Sequence, residues 1–519
     1  MARLTLAAFL GASVAVLVAS AAMAAELYTA DGIDLRWDTT IRYSNAIRLS
    51  PQNGFLLSRA NGDDGDRNFA PGLVSNRLDL SSQLDLALGD FGFHASAAGW
   101  YDSAYHNDTD NRSEATYNVT SVPSGHFAPQ VRDLHGQFAE LDDAFVYGTV
   151  NTGDTSLSMR LGRQTVLWGE SLFYDANSIA SAQAPTDYTR TLTGQSSYGT
   201  DVYLPVTQLS LTAQILPDLA VTVYDQFEAR PSRQAGDGSY FSYTDFLGPG
   251  AGRFFLSSGQ YLLRKDDGKI SSDGQYGAAI RASLNDIDFG FYALQYNVTN
   301  PQIVMAPDPD TNDPDVAGYY RLVYPKGITL FGASASASLG DSTIAGEISL
   351  RQHMPLLPSS PAATGTASVG PQYVIGYVRS DLLHVQASDQ MAIGRSDVWD
   401  SADLSAELAA EDVTEIDKGR TASLDRFAMR ARLMFEPHYF QVFPNLDLTI
   451  PVGIGYNLTG HSFSYYAQNG GAGDFEIGVS ALYRSAWKAS VMMTAFVGSP
   501  KQQPLADRNM IVMSLERTF

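Results

Sequence analysis

The chain has 519 residues, with 34 basic against 56 acidic side chains for a net charge of −22, no cysteine, and a mean hydropathy of −0.12. That acidity excludes the basic patch on which non-specific nucleic-acid binding depends, and the absence of cysteine excludes disulfides and thiolate metal sites. Past the first residues no apolar run approaches the ~20 residues of a spanning helix, so a membrane form must use strands, of which only alternate residues meet lipid.

Residues 1–24 read as a signal peptide. Arg3 supplies the positive start, an apolar stretch rich in small residues follows, and Ala22-Met23-Ala24 is an A-x-A cleavage site. The mature chain, 25–519, is then expected to be one outer-membrane β-barrel. Its first strand alternates cleanly: Ile33, Leu35, Trp37, Thr39, Ile41 and Tyr43 on one face, Asp34, Arg36, Asp38, Thr40, Arg42 and Ser44 on the other. A helical period would scatter these charges around the surface, and the run exceeds the usual 5–6 residues of a soluble strand.

Hairpins of the same kind follow along the chain. Leu78, Leu80, Leu84, Leu86 and Leu88 turn at Gly89-Asp90 into Phe91, Phe93, Ala95 and Ala97. Leu157, Met159 and Leu161 follow a turn at Asn151 to Asp154, and further pairs turn at Pro217-Asp218, Asn285-Asp286, Gly340-Asp341 and Arg484-Ser485. Gly, Asn, Asp and Pro stand where tight turns need them. Long polar stretches separate the pairs at 50–75, 103–136, 169–206, 231–274 and 301–317. Short periplasmic turns and long external loops are the pattern of a transmembrane antiparallel barrel. The count is about eighteen strands, with sixteen the alternative, and the register of 372–440 is open. The last strand alternates as well and ends on Phe519, which resembles the C-terminal signal read by the barrel assembly machinery.

Charged residues on strands must leave the lipid face, because a midplane Arg or Lys costs about 2–4 kcal/mol there. Candidates for the lumen are Arg36, Arg42, Arg160, Gln164, Glu347, Arg351, Arg430 and Arg432, with Asp34, Asp79, Asp85, His94, Glu407, Glu476, Arg484 and Glu516 beside them. Two readings follow: opposite charges pair and hold the wall together, or they form a constriction that filters by charge and size. No ring of one sign emerges. Trp168 and Glu170, after Gly162-Arg163-Gln164, are read either as a strand end with an interfacial aromatic ring or as the start of an inward-folded constriction.

Acidic runs at 63–66, 108–110 and 308–315 offer the clustered carboxylates that Ca²⁺ takes, but lack the EF-hand spacing and its terminal Glu. They are read as solvated loops, and no metal or cofactor site is assigned. No hydrolase, zincin or phosphate-loop motif occurs, so an enzyme is not expected, although Ser and His brought together from separate strands would leave no such trace.

The block from Arg160 to Arg230 resembles the proteobacterial outer-membrane proteins grouped as domain-of-unknown-function family 1302. The resemblance rests on Gly162-Arg163-Gln164 followed by Trp168-Gly169-Glu170, on Gly346-Glu347-Ile348-Ser349-Leu350-Arg351 with Pro355 beyond, and on Pro444 to Gly453 followed by Gly478 to Tyr483. It implies a channel for small molecules, apolar (steroid-, lipid- or aromatic-like) ones among them, and an RND-type transporter or periplasmic lipoprotein as partner. It carries no catalytic residues. The surroundings expected are outer-membrane lipid and lipopolysaccharide. The rival readings are a plugged barrel that docks an exporter or lipoprotein, and a barrel lipid hydrolase.

Overall fold

A computed structural model describes residues 25–30, 32–153, 155–174, 177–191, 202–256, 259–308, 312–356, 374–375, 377–416, 425–461 and 469–519. The signal peptide expected at 1–24 lies outside the described residues. Twenty strand segments join in one antiparallel sheet. Two of them, Leu446–Thr449 and Val452–Thr459, are halves of one strand interrupted at Ile450-Pro451, and both pair with the same two neighbours. Another, Ala25–Ala30, only prolongs the seam by pairing with the start of the first long strand. The wall therefore has eighteen strands among the described residues, not sixteen.

In chain order these are β1 (Ile33–Arg48), β2 (Gly72–Leu88), β3 (Phe91–Asp102), β4 (Gln137–Thr152), β5 (Thr155–Gln164), β6 (Val206–Leu216), β7 (Leu219–Gln226), β8 (Tyr276–Leu284) and β9 (Ile287–Tyr296). They continue with β10 (Ile328–Leu339), β11 (Ser342–Leu356), β12 (Val378–Ile393), β13 (Ser401–Ile416), β14 (Phe427–Phe443), the interrupted β15 (Leu446–Thr449 with Val452–Thr459), β16 (Gly473–Tyr483), β17 (Trp487–Val497) and β18 (Met510–Thr518). The register left open for 372–440 is β12 to β14, with Val385 opposite Ala410 and Glu407 opposite Arg432.

Each strand pairs with the next, and β18 closes on β1 from Thr40 opposite Thr518 to Arg48 opposite Met510. Closure leaves no edge, so the backbone hydrogen bonds are made within the sheet and the wall can sit in hydrocarbon. Its outer face is a belt of exposed Leu, Ile, Val and Phe. Leu80 is 51 % exposed and Phe331 54 %, an apolar area that a soluble monomer does not present. The inner face holds the charged and polar residues. No helix among the described residues is long and apolar enough to cross a membrane. The chain is a transmembrane barrel of the Gram-negative outer membrane, crossing it with strands.

Short turns gather at the periplasmic end. Two place both turn residues, neither of them glycine, in the left-handed region: Asn285 and Asp286 at φ 52° and 62°, Arg484 and Ser485 both at φ 53°. That is the turn twist a two-residue hairpin needs. Phe519 lies at this end, donating its N–H to the Thr39 carbonyl at 2.8 Å. Arg517 packs between it and Trp487, its guanidinium 4.5 Å and 4.9 Å from the two ring centres.

The long loops are external and more structured than their polarity suggests. Stretches 231–274 and 301–317, expected to be loop, contribute to a five-stranded sheet of Arg253–Phe255, Tyr261–Arg264, Gln302–Pro307, Val316–Val323 and Val374–Ile375. Phe246, Phe254, Leu262, Ile303, Tyr320 and Leu322 bury beneath it. A second core of Phe69, Tyr105, Tyr117, Phe127, Val131 and Tyr240 joins loops 49–71, 103–136 and 227–275. Strands this short carry too little period-2 signal to stand out from turn-rich surroundings.

Candidate functional site: a segment folded into the lumen

β5 ends at Gln164, and the chain then enters the barrel instead of rising to the membrane surface. Trp168 is 4 % exposed and lies inside, not at the lipid interface. Its ring packs on Tyr224 and Tyr292 at centroid distances of 5.1 and 5.9 Å. Ile179, Leu294, Ile328 and Leu330 complete this cluster. The side chain of Gln183 accepts the Trp168 N–H at 2.6 Å, and its carbonyl accepts from Gln226 Nε2 at 2.6 Å. The described parts of this segment, 168–174 and 177–183, are thus fixed to β7–β10 at Trp168 and Gln183.

Between those ends it crosses to β11–β14 and is held there by carboxylates. Glu347 accepts the N–H groups of Glu170 (2.8 Å) and Ile179 (2.9 Å). Glu407 accepts three in succession, from Leu172 at 2.8 Å and from Phe173 and Tyr174 at 2.7 Å each. Glu411 accepts Asn177 Nδ2 at 2.8 Å. Arg351 donates to the Ser178 carbonyl at 2.5 Å, and Tyr174 donates its hydroxyl to the Ala431 carbonyl at 2.6 Å. Charge-assisted bonds of this kind are roughly twice as strong as neutral ones.

The arginines of the same wall cover the ring side chains. Arg430 lies 4.8 Å over Tyr174 and pairs with Glu411 at 3.3 Å. Arg432 lies 5.8 Å over Phe173 and pairs with Asp474 at 2.7 Å and with Glu476. Gln386 donates to Glu407, and His384 bonds Gln386 at 2.8 Å. Gly169 makes the close approach to Glu347 possible: φ is +95°, and a Cβ there would stand 2.3 Å from Glu347 Oε2. Glu170, on the segment itself, is pushed above the usual carboxylate range by burial, with Arg281 opposing.

One cavity lies against the segment, and a second meets the first at Arg160 and Thr165. The first, of about 950 Å³, runs from Trp168 and Glu170 past Arg160, Arg281 and Tyr292 to the periplasmic rim at Pro217 and Asp218. The other, about 690 Å³, is lined by Arg42, Asp79, His94, Asp143, Arg160 and Arg190. The Arg160 guanidinium lies 5.6 Å over the Phe145 ring, and Arg42 stands between Asp79 and Glu516 on the neighbouring strands.

The structure thus brings Trp168, Glu170, Glu347, Arg351, Arg430 and Arg432 together around one segment, and sets Arg42 and Arg160 on cavity walls. Gln164 is buried where β5 ends, its amide bonded to the Arg160 and Gln208 carbonyls at 3.2 and 3.3 Å. Arg36 belongs to neither cavity: it is exposed at the periplasmic rim and pairs with Asp34 at 2.9 Å. Arg484 likewise sits in a turn, over Tyr483. Sequence reasoning passed over Glu411, His384 and Gln386. Glu411 shares a strand face with Glu407 two alternations earlier, so period-2 parity was a sufficient signal once the register of β13 is known.

A family model described as "Protein of unknown function (DUF1302)" matches residues 5–519. No curated protein matches the sequence. Among solved structures, Acinetobacter baumannii OccAB1 is similar at 12 % identity and TM-score 0.45, with 93 % of this chain and 96 % of that chain covered. A. baumannii OccAB4 is similar at 9 % identity and TM-score 0.44, covering 93 % and 98 %. Pseudomonas aeruginosa OpdK, solved with vanillate, is similar at 10 % identity and TM-score 0.41, covering 93 % and 98 %.

Proposed function

The chain belongs to the DUF1302 family, and from its own lumen we propose an outer-membrane channel for small molecules with residues 168–174 and 177–183 as the constriction. The observation that carries this reading is the anchoring of that segment across the barrel by Glu347, Glu407 and Glu411, which leaves a lined cavity beside it. A wall built only for stability has no need of a strap held through its backbone N–H groups. A filter needs one, because its aperture must hold its shape.

The lining favours a class of cargo. Arg160 lies over the Phe145 ring, and Arg160, Arg281 and Tyr292 line one cavity. That suits an apolar ring bearing an acidic group, a narrower form of the aromatic-like cargo the family resemblance implies. Single-channel conductance of the refolded protein in a planar bilayer tests the reading. Stable openings whose current is blocked by a small aromatic carboxylate support it.

One observation favours a second reading. The external loops pack into cores of their own over the barrel, which fits a plugged barrel that serves an RND-type transporter or periplasmic lipoprotein at its periplasmic turns. Persistent silence in heat-modifiable, folded protein would move the assignment there.

A further inference from the structure

The external loops bury four carboxylates together. Asp63 and Asp64 come from loop 49–71, Asp237 and Asp245 from loop 227–275. Oxygens of Asp63, Asp64 and Asp245 lie within 4.8 Å of one another, and all three residues are fully buried. The Asp237 side chain, 1 % exposed, faces Asp245 at hydrogen-bonding range, yet no donor reaches either of its oxygens. These residues, expected to be solvated loop, are the opposite.

Donors are supplied to part of the cluster only. Asp245 accepts the Asp64 N–H at 2.8 Å and the Ser242 hydroxyl at 2.9 Å. Asp64 accepts the Asn118 N–H at 2.8 Å and Asn111 Nδ2 at 3.3 Å. Arg67 pairs with Asp63 through one oxygen at 2.5 Å. The amide oxygen of buried Asn118 has no donor either. Burial pushes Asp64, Asp237 and Asp245 above the usual carboxylate range, and repulsion from Asp245 adds to it for Asp64 and Asp237. Like charges confined this closely need a proton between them or a cation among them.

Loop contact fixes the geometry. A Cβ at Gly65 would stand 2.4 Å from the Ser239 carbonyl and 2.6 Å from that of Ser242, so the two loops touch through backbone at this point. The donor set is all oxygen, largely anionic and drawn from separate loops. A hard cation tolerant of irregular geometry and 6–8 oxygens fits it, whereas Mg²⁺ keeps a tight octahedron and several waters. We propose that Asp63, Asp64, Asp237 and Asp245 form a calcium site that clamps the first and fourth external loops over the barrel mouth.

The rival is a proton shared between Asp237 and Asp245. Both are tested on full-length protein refolded in detergent without lipopolysaccharide, stripped with a chelator and titrated with Ca²⁺ alone, by calorimetry and by thermal midpoint. The expected result is saturable binding at a single site, a midpoint that rises with Ca²⁺ more than with Mg²⁺, and affinity lowered about tenfold or more in Asp237→Asn and Asp245→Asn. Asp108→Asn, which changes an exposed loop carboxylate, leaves both readouts unchanged. No heat and no midpoint change in folded wild-type protein would overturn the site. So would an Asp237→Asn variant that binds Ca²⁺ like wild type. Should Asp237→Asn fail to refold, the wild-type titration decides alone.

Discussion

The Glu407 carboxylate, on the wall of the barrel, accepts the backbone N–H of Tyr174, on the segment inside it, at 2.7 Å, and the preceding two N–H groups bind the same side chain. A buried anion and a turn of backbone donors satisfy one another, so each depends on the other staying in place. Glu407→Ala leaves three N–H groups without their acceptor, at about 1–3 kcal/mol for each that stays buried. The segment should come loose. In planar bilayers the variant is expected to show larger and noisier openings than wild type, with Glu407→Gln between the two. Unchanged conductance would remove the segment from the pathway.

Gly169 predicts the same loosening from the other side. With φ at +95° and Glu347 Oε2 in the place of a Cβ, Gly169→Ala must rotate the backbone and push the carboxylate away. Destabilisation of about 1–3 kcal/mol is expected from the strained conformation alone, read as a lower thermal midpoint. A wild-type midpoint would show that the close approach is not required.

Arg160 borders both cavities. Removing its charge makes the path more favourable to cations. Reversal potentials measured in a salt gradient should shift towards cation preference in Arg160→Ala, while Arg36→Ala, at the exposed rim, shifts little. Equal shifts in the two would place the selective region elsewhere.

Leu80 is 51 % exposed on the outer belt. Leu80→Arg puts a charge against acyl chains and should cost about 2–4 kcal/mol if the residue lies near the midplane. Urea titration in lipid vesicles reads this directly. A cost near zero would mean that the belt at Leu80 does not face hydrocarbon.

His135, in the second external loop, is buried, accepts the Gly236 N–H at 2.9 Å and stacks on Tyr105. Burial, reinforced by Arg77 and Arg233, pushes its pKa from 6.5 down to about 3. A depressed histidine pKa means that the unfolded or opened loop binds the proton more readily. The stability held by neutral His135 is complete above pH 6.5 and is lost as pH falls towards 3, on the order of 2 kcal/mol by pH 5. His135→Gln keeps an acceptor and removes the titration. Thermal midpoints at pH 7.5 and 5 should fall further apart in wild type than in the variant, and equal differences would refute the assignment.

Much of the barrel was legible in the sequence because a strand displays its two faces as a period of two. Leu78 to Leu88 and Phe91 to Ala97 already read as a hairpin, and they pair with Leu88 opposite Phe91 and Leu84 opposite Ala95. Charges such as Arg160 and Glu347 could be sent to the lumen by parity alone, because lipid excludes them. Parity does not say what a lumenal charge meets. Glu347 and Glu407 bind backbone N–H groups 168 to 235 positions away in the chain, and a backbone donor has no residue identity to read. The same reason hid the loops. Asp63, Asp64, Asp237 and Asp245 look like solvent-facing turn residues one run at a time, and only the folding of loop 227–275 onto loop 49–71 removes them from water. The sequence by itself determined the wall, its two faces and the end that carries the long loops, since local alternation and turn chemistry encode them. Only the tertiary structure decided what enters the lumen and what closes over it, since those depend on polar contacts between distant segments.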